Sequence, residues 1–224
     1  MKIIRIKVVI LALSALFMSV SYAEETVISI SHQEIVIPEL DSFDSINING
    51  QLLGLLDETN PERGKHFAFF VDKNSQPLLS KYIIFAVPAG TESNTFSKND
   101  FSVFSEHVKE KHKNTTQAEL TPGKISMGRV IYSIGDIVPM EVFLENDRAI
   151  GFINVYEESA EISGRLESDK KANAFIFLLV KGRILTMNII TLFESIKDID
   201  WLKRKAHIWS AQIINANSKS PFFK

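Results

Sequence analysis

The sequence predicts an α+β fold: an antiparallel β-sheet packed against helices and closed by a long C-terminal helix. Three observations carry that reading. Short β-branched and aromatic runs recur at close spacing through most of the chain. Several are joined by turns far too short for a parallel crossover, which needs a dozen or more residues. Two segments carry apolar residues at helical steps of three and four.

Strand signals come first. Thr26-Val27-Ile28-Ser29-Ile30 and Glu34-Ile35-Val36-Ile37 are β-branched runs, and Pro38 ends the second because it lacks a backbone donor. Residues 66–71 and Lys81–Val87 are aromatic and β-branched, with Pro88 stopping the latter in the same way. Residues 51–56 fit strand or helix equally. Runs at 129–134, 140–144 and 149–156 follow, with Asn146-Asp147 as a turn signal before the last. Residues 174–180 and 183–192 flank Lys181-Gly182, where glycine supplies the positive φ of a tight hairpin. The polar stretches 57–65, 88–99, 113–124 and 157–171 read as loops, none long enough to force a domain split.

The first helix is expected over about 99–113, capped by Ser97 or Asn99 and striped by Phe101, Phe104 and Val108. The second is expected over about 196–216. Ser195 with Asp198 resembles a capping box, and Ile199, Leu202, Ala206, Trp209 and Ile213 form one apolar face.

Residues 1–23 read as a secretory leader. Lys2, Arg5 and Lys7 precede an apolar stretch from Val8 to Val20, and Ser21-Tyr22-Ala23 places small residues for cleavage after Ala23. That stretch is roughly 20 Å long as a helix, short of the ~30 Å hydrocarbon slab. The expected organisation is a signal peptide over 1–23, a single α+β domain over 24–217 and a disordered tail over 218–224. The expected location is the periplasm or outside the cell, with no membrane-integral segment after cleavage. Without the leader, 22 basic side chains face 27 acidic ones, a net of −5 against −2 for the whole chain. That balance disfavours binding to nucleic acid or anionic lipid. The chain has no cysteine, which removes disulfides, thiolate metal sites, iron–sulfur clusters and a cysteine nucleophile.

Motifs for catalysis are missing where they would be sought. The stretch Gly123-Lys124-Ile125-Ser126-Met127-Gly128 is one residue out of register for a nucleophile elbow. No Gly-x-Gly phosphate cradle occurs. His107 and Glu110 share a helix face, but a metal would need ligands from elsewhere. The carboxylate pairs Asp41/Asp44, Glu157/Glu158 and Asp198/Asp200 are what 27 acidic residues yield by chance. No catalytic residue, metal ligand or cofactor is expected. The densest basic and aromatic cluster lies on the second helix, and Trp201, Arg204 and Lys205 are its candidate partner-binding edge.

The C-terminal half also carries a resemblance. A strand pair over 174–192 crosses at Lys181-Gly182-Arg183. Asp200-Trp201-Leu202 then opens a helix that ends Ile213-Ile214-Asn215-Ala216-Asn217. With Glu145-Asn146-Asp147-Arg148-Ala149-Ile150-Gly151-Phe152, this resembles uncharacterised bacterial exported proteins. It is also similar to the PsbP-like fold, shared by a photosystem II extrinsic protein and a Ran-binding nuclear import factor. The resemblance spans roughly 125–217. It implies an α/β/α sandwich whose members mostly bind or assemble other proteins, and it transfers no functional residue.

The expected function is a non-enzymatic binding or assembly module of the bacterial envelope. A second reading is a helix-grip carrier of a hydrophobic, lipid-type ligand, suited by 16 Phe and requiring a cavity beneath the second helix. A hydrolase is the third.

Overall fold

The computed structural model describes residues 25–46, 64–74, 80–114, 124–127, 130–162 and 165–218. The leader over 1–23, the ambiguous segment 51–56 and residues 219–224 of the expected tail lie outside them. So do most of the loops expected at 57–65 and 113–124. Ser218, expected in the tail, belongs to the C-terminal helix.

Ten strands and two helices are formed among the described residues. The strands are β1 (Thr26–Ile30), β2 (Gln33–Ile37), β3 (Phe43–Ile46), β4 (Lys65–Asp72), β5 (Lys81–Val87), β6 (Lys124–Met127), β7 (Val130–Asn146), β8 (Ala149–Ile162), β9 (Arg165–Val180) and β10 (Arg183–Leu192). The helices are α1 (Lys98–Asn114) and α2 (Ile196–Ser218). Eight strands form one sheet in the order β3-β4-β5-β10-β9-β8-β7-β6, antiparallel throughout. The first two make a separate hairpin.

Alternation along β9 separates the two layers. Ala174, Ile176, Leu178 and Val180 face a core shared with Ile199, Leu202, Ala206, Trp209 and Ile213 of α2, and with Ile28, Ile30, Ile35 and Ile37 of the hairpin. Phe177 and Leu179 face the other way, into a cluster with Phe101 of α1, Ile150, Phe152 and Ile184. The sheet is therefore covered by α2 and the hairpin on one side and by α1 on the other, the sandwich that the resemblance implies. Ala172, Ala174 and Ala206 are fully buried in the first core, and their small side chains let α2 lie close to β9. Trp209, also fully buried, meets Phe43 edge-on at 5.2 Å.

Two expectations are corrected. Of the stretch 157–171, read as a loop, residues 157–162 lie in β8 and 165–171 in β9, which pair down to Ile162↔Arg165. Its polarity hid the strands, yet cross-strand neighbours stabilise such a ladder without an apolar face, here through the Lys171–Glu158 ion pair. The described residues of the runs at 129–134 and 140–144 lie in one strand, β7. Its register shifts between Ile134 and Ile137 and between Pro139 and Glu141, so Pro139 sits beside an irregularity where a missing donor is tolerated. The two helices lie where their stripes place them. At α2 the Asp198 carboxylate accepts from the Ser195 and Glu194 amides at 2.8 and 3.0 Å, the reciprocal half of the expected capping box.

Candidate functional site

In an antiparallel meander alternate turns fall at the same end of the sheet. The β7–β8 and β9–β10 turns therefore adjoin, and a cleft of about 310 Å³ opens there. Its walls come from Phe96 and Lys98 before and at the start of α1, Arg148 of the first turn, Leu179 to Gly182 of the second, and Ile214, Asn217 and Ser218 of α2.

Each wall is fixed by local chemistry. Lys181 and Gly182 have φ of 48° and 75°, the two left-handed residues of a type I′ turn. The Gly182 carbonyl accepts from the Phe96 amide at 2.8 Å, hanging the approach to α1 on the hairpin. The Asn146 side chain accepts from the Arg148 amide at 2.9 Å, and the Arg148 carbonyl accepts from the Leu179 amide at 2.8 Å. Ser97 caps α1: its amide and hydroxyl donate to Asp100 at 2.8 and 2.7 Å, which holds that carboxyl below its ordinary range.

The charges of the cleft are unusual for this molecule. Elsewhere lysines meet carboxylates: Lys73 with Asp44, Lys109 with Glu106 and Glu145, Lys171 with Glu158, Lys203 with Glu141 and Lys205 with Asp41. At the cleft, Lys98 pairs with Asp147 and lowers that carboxyl's pKa, and the Arg148 charge lowers it further. Three other cations rest on neutral oxygens. Arg148 donates to the Ser218 hydroxyl at 2.9 Å, Lys181 to the Glu34 carbonyl at 2.7 Å, and Arg183, beside the cleft, to the Asn94 carbonyl. None of the three has a carboxylate within ion-pair distance among the described residues. The carbonyl end of α2 adds about half a negative charge to one wall and the amide end of α1 about half a positive charge to another. The three full cations exceed both.

The expected edge on α2 is arranged differently. Trp201 is half-buried, stacked on Phe43 at 6.5 Å, edge-on to Trp209 at 6.3 Å, with the Lys81 ammonium 4.9 Å above its ring. Lys205 pairs with Asp41 and lies 5.7 Å over Trp209. Of the three, Arg204 alone projects freely into solvent. Trp201 and Lys205 direct their contacts into the protein.

The remaining candidates have local partners or stand apart. Asp41, Asp44 and Glu158 hold lysines, and Asp198 caps α2. His107 and Glu110 are exposed on α1, and no group of three His, Asp or Glu able to hold a metal occurs among the described residues. His112 turns toward the sheet, 4.5 Å from the Phe152 ring, and burial lowers its pKa. On the same sheet face Tyr82 and Tyr156 share a hydrogen bond. Burial first and the Glu158 charge second push Tyr82 well above its ordinary value; burial and then Tyr82 do the same to Tyr156. Both phenols stay neutral and cannot serve as bases near neutral pH. The space beneath α2 that a helix-grip carrier would need is filled by Leu202, Ala206, Trp209 and Ile213, each fully buried.

No family model and no curated protein matches this chain. Among solved structures the chain is similar to the cyanobacterial PsbP (CyanoP) of Synechocystis sp. PCC 6803. That solution structure shares 11% identity over 85% of this chain and 93% of its own length, at a TM-score of 0.31. The chain has a weak PsbP-like resemblance. No helix of the described residues is long and apolar enough to cross a membrane.

Lys98, Arg148 and Lys181 stand in no sequence motif that marks a site. A signal for them existed. Both hairpin turns were legible, each bears a cation, and turns two apart in a meander share an end.

Proposed function

We propose that the chain is an exported, non-enzymatic module of a bacterial envelope that binds a protein partner at the hairpin end of its sheet. One observation carries this reading: Arg148 and Lys181 line a cleft, with Arg183 beside it, and all three rest on neutral oxygens, in a chain whose other described lysine contacts are mostly ion pairs. Cations with no carboxylate at ion-pair distance among the described residues, beside a concave, partly apolar surface, suit recognition. The leader pattern of residues 1–23 supports export, and the acidic excess of the remainder argues against a nucleic-acid partner.

The test is photocrosslinking in intact cells. A benzophenone amino acid replaces Lys98, exposed at the rim, or Val103, exposed on the outer face of α1. A protein adduct from position 98 and none from 103, lost on Arg148→Gln, is the expected result. Equal adducts from both positions, or a chain retained in the cytoplasm on fractionation, would overturn the proposal.

A further inference from the structure

We propose that the cleft recognises a carboxylate borne beside an apolar side chain, the chemistry of an acidic and aromatic segment of a partner protein. This deepens the reading above and rests on it.

The charge argument comes from unused donors. An arginine carries five N–H groups and a lysine three. Arg148 engages the Ser218 hydroxyl and Lys181 the Glu34 carbonyl, leaving most of both sets open. A carboxylate would satisfy the Arg148 fork with two parallel bonds, which a neutral amide cannot match. The apolar argument comes from the walls. Phe96, Leu179 and Ile214 line the same cleft, so a ligand with an anionic head and an apolar body finds both halves of its surface matched. Inorganic phosphate would leave those walls wet. The volume of about 310 Å³ stands at the small end of ligand sites and holds two or three side chains. A flat anionic membrane would not enter it.

Pre-organisation adds to the case. The walls come from four separate parts of the chain, and the hydrogen bonds Phe96–Gly182, Leu179–Arg148 and Arg148–Asn146 hold three of them in register. A ligand therefore meets cations already in place and loses little affinity to ordering them.

The experiment titrates the purified protein with an acetylated, amidated hexapeptide of alternating Asp and Phe, so that side-chain carboxylates alone are present. Its Asn-for-Asp copy, inorganic phosphate and phosphatidylglycerol vesicles form the other arms. The acidic peptide is expected to bind, more weakly as salt rises, shifting the amide signals of Arg148, Gly182 and Asn217. Lys181→Asn is expected to weaken it about tenfold, the loss of one charge-assisted hydrogen bond, and Arg148→Gln about a hundredfold, the loss of a two-bond fork. Lys181→Asn keeps the turn, because Asn-Gly is the favoured type I′ pair. Amide spectra matching the parent away from the turn establish folding of each variant. Equal binding of the Asn copy, unchanged affinity in both folded variants, or binding of phosphate or vesicles in place of the peptide would each overturn the inference. If the peptide fails while position 98 still gives an Arg148-dependent protein adduct, this inference falls and the binding-module reading stands.

Discussion

Asn217, in the last turn of α2, pairs with the backbone of Val36 as a neighbouring strand would. Its Oδ1 accepts from the Val36 amide at 2.9 Å and its Nδ2 donates to the Val36 carbonyl at 2.7 Å. The same amide nitrogen also donates to the Ile213 carbonyl at 2.8 Å. One side chain thus closes the helix end and holds the edge of β2 against it. Asn217→Ala leaves the Val36 groups unpaired at a part-buried site and should cost about 1–3 kcal/mol of stability. Urea unfolding of the variant checks this, and early exchange of the Val36 amide localises the effect. An unchanged midpoint would mean that water replaces the amide without loss.

Gly182 carries the second prediction. At φ of 75°, a Cβ would stand 3.1 Å from the Thr95 methyl. Gly182→Ala should cost about 1–2 kcal/mol from the left-handed backbone alone. It should also push residues 95 and 96 off the hairpin, visible as a shifted Phe96 amide.

Ala174 tests how closely α2 approaches the sheet. Its methyl is fully buried in the core that α2 covers. Ala174→Leu should destabilise by about 1–3 kcal/mol through overpacking, whereas Val103→Leu on the exposed face of α1 should have little effect. Thermal unfolding of the two variants gives the comparison.

The tyrosine pair predicts an alkaline limit. Tyr82 and Tyr156 have pKa values raised above the ordinary 10 in the folded chain. In the unfolded chain they ionise near that value. Above about pH 10 the unfolded state therefore binds fewer protons than the native one, and stability falls as pH rises further. Absorbance of ionised phenol at 295 nm should show these two tyrosines titrating only as the fold opens. Tyr82→Phe should remove its share of that coupled phase. Titration of both below the unfolding pH would contradict their burial.

The fold was legible where apolar periodicity and turn residues agree. Ile199, Leu202, Ala206, Trp209 and Ile213 mark α2, and Lys181-Gly182 marks the central hairpin. Residues 157–171 were not legible, because Glu158 and Lys171 hold their strands by cross-strand charge. The site was harder still. Phe96, Arg148, Lys181 and Asn217 belong to four separate parts of the chain, brought together by the strand order, by the Phe96–Gly182 hydrogen bond and by the docking of α2 on β2. Trp201 was conspicuous because aromatic and basic residues cluster around it in sequence, yet those contacts point inward.

The position of β10 has a consequence for how the chain acquires its structure. This strand, followed in the described chain by α2 alone, lies between β5 and β9. Until it inserts, the sheet exists as two pieces, each presenting an open apolar edge to any other chain nearby. Pairing β10 with β5 joins residues a hundred positions apart, such as Thr186 with Ala86, and contacts of that range form slowly. A chain stopped before Arg183 would lose the joint between the halves as well as one strand. Completion of the sheet thus waits for β10, the last of the described strands in chain order, and the pieces made before it stay open until it pairs.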